Sequence, residues 1–294
     1  KCWGWNNNGQ LGLGDKASRG NELDEMGDNL PFVDLGTNVT VRSVSLGNTH
    51  SCALVNDGDV KCWGDNTGGQ LGYEDNLNRG INAIEMGDNL DFVDLGREQK
   101  ALAISAGAFY TCALLYTGGV KCWGFGSSGQ LGQPINESIG ATPDSMGDFL
   151  PPIDLGTGKK AIAIATGGIH ACAVLDDYTV KCWGGNEEGS LGLGDTKARG
   201  IVEGQMGDNL PAVNLTFGED EGLVSNVASG SLSYHTCVSG TLGGIACFGL
   251  NSDGQLGVGT NNNVGDDPGE TEELVGIDLG TNVTEVVPET PGEG

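Results

Sequence analysis

Hydrophobic and polar residues alternate along this chain in short runs separated by clusters of glycine, asparagine and aspartate. One example is the run at 41–46, followed by a second run at 50–55, a turn at 56–58 and a third run at 59–64. A period of two with such turns between the runs predicts β-hairpins. A long polar loop then leads to the next run. Each unit therefore predicts three to four strands, which is about one blade of a β-propeller.

The unit recurs every 60 residues. Lys-Cys-Trp-Gly begins at Lys1, Lys61, Lys121 and Lys181, and a degenerate fifth copy spans Ala246–Gly249. All four methionines keep the same phase and precede Gly-Asp, at Met26, Met86, Met146 and Met206. Repeats of this length, each unable to bury its own apolar face, indicate a stacked array. The prediction is an all-β propeller of about five repeats.

The phase of the repeats predicts the domain organisation. Propeller repeats are expected over residues 1–287, as a partial blade at 1–41, blades at 42–101, 102–161, 162–223 and 224–280, and the start of a further blade. Residues 288–294 form a Pro/Glu/Gly tail. The first and last blades are expected to be incomplete. If the chain is complete, a neighbouring chain must supply the missing hairpin, because an open β edge pairs readily.

The pattern H-x-C-A-L, then G-x-V-K-C-W-G, then G-Q-L-G resembles the repeat of the RCC1 (regulator of chromosome condensation) family. In the second copy its residues are His50, Cys52–Leu54, Val60, Trp63–Gly64 and Gly69–Gly72. The resemblance covers nearly the whole chain and implies a β-propeller, usually of seven blades. It also implies varied activities, namely nucleotide exchange on a small GTPase, chromatin contact, enzyme inhibition and secreted roles. The fold alone does not choose among them.

Eight of the nine cysteines form pairs ten residues apart. The pairs are Cys52/Cys62, Cys112/Cys122, Cys172/Cys182 and Cys237/Cys247. The midpoint of the first pair is residue 57, in a hairpin turn, so the two cysteines face each other within disulfide reach. Zinc would need closer spacing or four converging ligands. Four disulfides predict an oxidising compartment and an extracellular protein of the secreted branch, either secreted or at the cell surface.

Cys2 is the ninth cysteine and has no partner in the repeat pattern. Three explanations remain open. The sequence is truncated upstream, Cys2 pairs with another subunit, or Cys2 is a free thiol.

The chain has 40 acidic and 14 basic residues, and its net charge is −26. Such a charge repels phosphate backbones, so nucleic acid is not an expected partner, nor is insertion into a membrane. Arg19, Arg79 and Arg199 recur with Asp28, Asp88 and Asp208, and these are expected to form ion pairs that brace the loops. Ca²⁺ bound by the aspartates is the alternative. No other cofactor is expected.

Other polar positions also follow the repeat. His50, His170 and His235 each lie two residues before a cysteine, and Tyr110 takes that place in the remaining repeat. A side chain that holds the backbone at a turn explains them better than catalysis does. The recurring tryptophans are interpreted as blade packing. Four sequons are candidate glycan acceptors, at Asn38, Asn136, Asn214 and Asn282.

No catalytic set departs from the repeats, so the chain is not expected to be an enzyme. The first functional hypothesis is an extracellular structural or adhesive propeller that self-assembles into a surface structure or filament by blade completion between chains. The alternative is a secreted module that binds a protein or glycan through its loop face.

Overall fold

The computed structural model describes residues 1–135, 137–215, 223–274 and 276–280. Within these residues, twelve strands form four antiparallel sheets of three strands each. The strands are β1 (Val41–Leu46), β2 (His50–Val55), β3 (Asp59–Gly64), β4 (Ala101–Ala106), β5 (Tyr110–Leu115), β6 (Val120–Gly124), β7 (Ala161–Thr166), β8 (His170–Leu175), β9 (Val180–Gly184), β10 (Val224–Ala228), β11 (His235–Gly240) and β12 (Ile245–Gly249). Each sheet has its strands in sequence order and is one blade. The predicted all-β architecture of repeated blades is confirmed.

The middle strand is fully buried in the first three of the four blades. Every residue of β2, β5 and β8 is buried, because neighbouring blades cover both faces of these sheets. The first strand of each blade contacts the blade before it, as β4 contacts β1 and β2. A strand of five or six residues cannot form a core alone, so the core is continuous between blades.

The polar loop after each third strand returns along the outside of its blade. Gly64 pairs with Arg79 in an antiparallel bridge, and the Val93 N–H then donates to the Val60 carbonyl at 2.8 Å. Between these contacts the loop contains only short 3-10 turns. These are Gly27–Asn29, Ala83–Glu85, Gly87–Asn89, Gly147–Phe149 and Gly207–Asn209. The loop thus takes the place of a fourth, outer strand.

A buried lysine holds this loop against the third strand. Lys61 Nζ donates to the carbonyls of Leu35 and Gly87, at 2.8 and 3.0 Å. Lys121 makes the equivalent pair of bonds to Leu95 and Gly147. Burial lowers the pKa of both lysines. The lysine of the repeat motif is therefore a structural residue that joins two successive loops.

Four disulfides cross the second and third strands of the four blades. They join Cys52–Cys62, Cys112–Cys122, Cys172–Cys182 and Cys237–Cys247, with Cα atoms 4.0 to 4.1 Å apart. In every blade the bonded cysteines are directly opposite in the strand register. These are the pairs that the ten-residue spacing predicts. Disulfides of this kind persist in an oxidising environment.

Replacing Cys112 and Cys122 together by alanine is expected to lower the free energy of unfolding by about 2 to 4 kcal/mol, because the closed loop restricts the unfolded chain. Urea denaturation followed by fluorescence measures the change. Cys2→Ala is the matched control, because Cys2 forms no disulfide in the structure. Equal effects of the two changes would contradict a stabilising role for the hairpin disulfide.

Candidate binding surface

Buried side chains at the junctions between blades hold one repeat to the next. His50 Nε2 lies 2.9 Å from Thr111 Oγ1 of the following blade, and that hydroxyl donates to the Gln70 carbonyl at 2.9 Å. His170 Nε2 and Thr236 Oγ1 are 2.8 Å apart in the same arrangement. Since each threonine hydroxyl donates to a carbonyl, it accepts from the imidazole. The histidines thus contact a side chain of the next blade, whereas the sequence predicted a bond to backbone.

Tyr110 and His235 depart from this arrangement. The Tyr110 hydroxyl donates to the backbone carbonyl of His170, so the contact again reaches the next blade. His235 Nδ1 instead lies 2.7 Å from Ser233 Oγ within its own turn. Of the three histidines, only His235 has a ring contact within its own turn, and that contact is to a side chain and not to the predicted backbone.

Burial leaves the junction histidines neutral. His50 and His170 are 1% exposed or less, and Nδ1 of each has no hydrogen-bond partner. Removal from water lowers the pKa of both imidazoles to about 4. A buried neutral ring that faces threonine cannot reach a substrate in solution. These histidines are therefore structural.

Tryptophan side chains form the second contact at each junction. The indole N–H of Trp63 donates to the Gln10 carbonyl at 3.0 Å, and Trp123 donates to Gln70 at 3.1 Å. Both tryptophans are buried. Blade packing therefore accounts for them as predicted. Trp3 differs, because 61% of it is exposed.

One end of the blades carries an apolar surface, which we call the aromatic end face and define as Phe109, Phe125, Ile169, Leu232 and Tyr234. The residues are continuous through the backbone, since the Phe125 N–H donates to the Phe109 carbonyl at 2.9 Å. The turns that carry them are also joined between blades by the hydrogen bonds Ala108 N to Gly168 O and Gly168 N to Ser233 O. Four of the five side chains are 40 to 60% exposed.

The aromatic end face falls where the repeat is least regular. Phe109 corresponds to Thr49 and Ile169, and Phe125 corresponds to Asp65 and Gly185. Because these positions do not recur, the periodicity of the sequence did not indicate them. The signal that could have found them is that the residue at one position of the repeat differs between repeats. Packing between blades requires the positions that stay constant, whereas a ligand requires only exposed positions.

The remaining sequence candidates lie apart from this surface. Cys2 is half-buried and unpaired, and burial raises the pKa of its thiol. Asn38 is exposed and adopts a left-handed backbone conformation with φ of 59°. Asn214 is also exposed, and its amide donates to Glu272 at 2.7 Å. Asn136 and Asn282 lie outside the described residues.

The predicted loop-bracing ion pairs exist with different partners. The arginines bind an aspartate four residues before them, in Arg19–Asp15, Arg79–Asp75 and Arg199–Asp195. Asp88 instead accepts from the backbone and hydroxyl of Thr37, and Asp208 does the same at Thr157. These bonds lower the pKa of both carboxyl groups. Asp28, Asp88 and Asp208 were therefore the wrong partners for the arginines. A short turn follows Asp15, Asp75 and Asp195, and in each repeat this turn places the carboxylate beside the guanidinium group.

The described residues contain no group of three or more histidine, cysteine, aspartate or glutamate side chains that could hold a metal ion. Within the same part of the chain, no helix is long and apolar enough to cross a membrane.

Comparison with known proteins identifies the repeat. Models of the regulator of chromosome condensation (RCC1) repeat match residues 2–54, 41–70 and 102–130. The chain is 34% identical to the human probable E3 ubiquitin-protein ligase HERC3 over 198 residues, which are 66% of this chain and 16% of HERC3. It is 29% identical to the ultraviolet-B receptor UVR8 of Arabidopsis thaliana over 264 residues, which are 88% of this chain and 50% of UVR8. The chain thus spans half the length of these relatives or less.

Solved structures show the same fold. The crystal structure of Kap60 bound to yeast RCC1 (Prp20) matches with a TM-score of 0.64 and 19% identity, over 96% of this chain and 58% of that one. Human WBSCR16 matches with a TM-score of 0.63 and 20% identity, over 90% and 59%. The RCC1-like β-propeller architecture is therefore confirmed.

Acidification is expected to destabilise the junctions. The pKa of His50 and His170 is about 4 in the folded state and 6.5 when unfolded, so the unfolded state binds more protons below pH 6.5. The stabilisation is complete above pH 6.5 and is lost as the pH falls to about 4. Each histidine should account for about 3 kcal/mol over this range, since one pKa unit is about 1.4 kcal/mol.

Urea denaturation at several pH values measures this loss. The control carries His50→Tyr and His170→Tyr, because Tyr110 fills the same position in a neighbouring blade without titrating in this range. Its stability should change less between pH 6.5 and 4. The same pH dependence in both proteins would show that the histidines are not responsible.

Proposed function

Because this chain belongs to the RCC1 repeat proteins, we propose that it is a secreted, extracellular binding module whose aromatic end face contacts a partner protein. An RCC1-like propeller is a fold that serves as a protein-binding module, as in the structure of yeast RCC1 with Kap60. The four disulfides support a compartment outside the reducing cytosol. Exposure on the outside of the cell is consistent with the net charge of −26, which favours solubility.

The observation that carries the proposal is the exposure of Phe109 and Phe125 side by side on rigid turns. Aromatic side chains are enriched in protein interfaces, because they bury much apolar area and lose few rotamers on binding. A contiguous exposed apolar patch is also rare on a monomeric surface that has no partner. The backbone bonds between turns keep these rings in place before binding, which lowers the entropic cost of association.

An enzymatic role is not part of the proposal. The match to HERC3, an E3 ubiquitin-protein ligase by name, covers 16% of that protein. The histidines of this chain are occupied in the blade junctions or in a local turn. Binding is therefore the function that the described surface supports.

A structural or adhesive role, in a surface assembly or filament built from several copies, is the second candidate. It is favoured by the uniform buried junctions between the blades, as between His50 and Thr111 and between His170 and Thr236, which make the repeats a regular scaffold. A glycan partner is the remaining alternative for the end face, since aromatic rings also stack on sugars.

Replacing Phe109 and Phe125 together by serine is expected to abolish capture of the partner from the native extracellular fluid, because both rings leave the centre of the contact. Affinity capture with quantitative mass spectrometry compares the variant with the original chain. The control is Phe149→Ser, which removes a more exposed ring from an outer loop. A partner retained by the double variant, or lost equally in the control, would contradict the proposed surface.

Passage through a secretory pathway is expected to leave the disulfides formed and to modify Asn38, which is exposed. Expression in a glycosylating secretory host, followed by intact-mass measurement, tests both. Asn38→Gln should remove one glycan mass. Secreted protein without disulfides, or retention of the chain inside the cell, would argue against an extracellular role.

A further inference from the structure

The turns at the aromatic end of the blades carry acidic residues and no basic ones. These turns are the segments 47–49, 65–68, 107–109, 125–128, 167–169, 185–188, 229–234 and 250–254. Their charged residues are Asp65, Glu187, Glu188 and Asp253, and none of the segments contains a lysine or an arginine. The carboxylates of these turns are therefore not balanced by cations of the same turns.

The opposite end of the blades has cations that pair with its carboxylates. The ion pairs there are Arg42–Asp57, Lys100–Asp59 and Lys159–Asp177. The two ends of the blades thus differ in charge. A ligand would meet paired charges at the opposite end, but carboxylates alone on the turns of the aromatic end.

Phe125 stands beside the turn that begins with Asp65. A Cβ atom added to Gly68 of this turn would lie 3.5 Å from Phe125 Cβ. Asp65 is buried, and its carboxylate accepts from the Thr49 hydroxyl at 3.2 Å and from the Gln70 amide at 3.0 Å. These bonds hold one carboxylate in place in the turn next to the ring.

Glu187 and Glu188 lie on the other side of the phenylalanines, in the following blade. Their turn is joined to Ile169 of the end face, because the Gly185 N–H donates to the Ile169 carbonyl at 2.8 Å. Glu188 accepts from the Asn263 amide at 2.8 Å, whereas Glu187 is exposed to solvent. The aromatic residues therefore lie between two acidic turns.

The exposure of Phe109 and Phe125 is determined by blades that are present on both sides. The two residues belong to the blade β4–β6, and β4 contacts β1 of the blade before it and β7 of the blade after it. With these neighbours in place, Phe109 is 40% exposed and Phe125 is 45% exposed. Their surface thus belongs to the interior of the array.

These two rings lack the cation that a similarly exposed ring of this chain has. Phe92 is 46% exposed, and Lys61 Nζ lies 4.7 Å from the centre of its ring. Within the part of the chain that the structure describes, no lysine or arginine lies over Phe109 or Phe125. The negative face of an aromatic ring attracts a cation, so a cation from a partner can bind there.

We propose that the partner contacts the aromatic end face with a protein segment in which lysine or arginine flanks an apolar side chain. The apolar side chain packs on Phe109 and Phe125, and the cations meet the carboxylates on either side or the faces of the rings. The inference rests on the binding function proposed above, and it names the chemistry of the partner.

A second copy of this chain does not fit this surface. Two aromatic end faces placed against each other would bring carboxylates together with no cation from these turns between them, and like charges at an interface oppose association. The same carboxylates repel nucleic acid and anionic lipid. A basic protein segment meets neither obstacle.

Selection from a phage-displayed library of random peptides on the immobilised 294-residue chain tests the charge of the ligand. Peptides that bind the original chain but not the variant with Phe109→Ser and Phe125→Ser are specific to the end face. They should contain lysine and arginine at least about twice as often as the unselected library, next to aromatic or aliphatic residues. A lysine and arginine content equal to that of the library would overturn the inference.

Charge reversal beside the rings gives the second result. Glu187→Lys should weaken binding of the strongest selected peptide at least about threefold at low ionic strength, and added salt should reduce this difference by screening. Fluorescence anisotropy measures both. Glu203→Lys is the matched control, because it makes the same change of charge at an exposed position of an outer loop. Equal effects of the two variants would overturn the inference.

The outcomes separate the inference from the function. Peptides that require the two phenylalanines but are not basic, and that bind the Glu187→Lys variant unchanged, would overturn the inference and leave the binding function. A selection that yields no peptide dependent on the phenylalanines would overturn both.

Discussion

The packing of an aromatic ring from one repeat against a glycine of the repeat before it is the contact on which the structure depends. A Cβ atom added to Gly72 would lie 2.8 Å from Trp123 Nε1, so a residue with a side chain leaves no room for the ring. A three-stranded blade of short strands has too little area to bury its own faces. The ring supplies the missing contact at the junctions. It is aided by a hydrogen bond from Trp63, Trp123 and Trp183 to a backbone carbonyl, and at two junctions by a buried threonine, Thr111 or Thr236. Phe248 keeps the ring but cannot donate a bond, so Thr236 alone donates to the Ser190 carbonyl there. The contacts between blades therefore contribute more to stability than the contacts within a blade.

The disulfides and lysines complete this arrangement from the two sides of each sheet. Each disulfide fixes the register of β2–β3 or its equivalent, and that register sets where the tryptophan next to the second cysteine points. Lys61 and Lys121 on the same strand each hold two successive loops, and Lys181 donates to one loop through the Gly207 carbonyl. Neighbouring residues of the Lys-Cys-Trp-Gly motif therefore make three different contacts. The lysine binds the loop, the cysteine closes the hairpin, and the tryptophan packs against the adjacent blade.

How well the sequence predicted each of these features depends on whether the residues that determine it lie within one repeat. The hairpins and cysteine pairs depend only on spacing within one repeat, so periodicity was sufficient to find them. The partner of Arg79 was mispredicted, although the sequence carries a signal for Asp75. The Asp75 position is aspartate only in the repeats that have the arginine, whereas the Asp88 position is also aspartate, as Asp148, in the repeat that has Ile139. Trp3 is 61% exposed and Trp63 is 2% exposed, although periodicity places the two tryptophans at the same position and predicts the same burial for both. The aromatic end face consists of residues that depart from the repeat, so the constant positions do not indicate it.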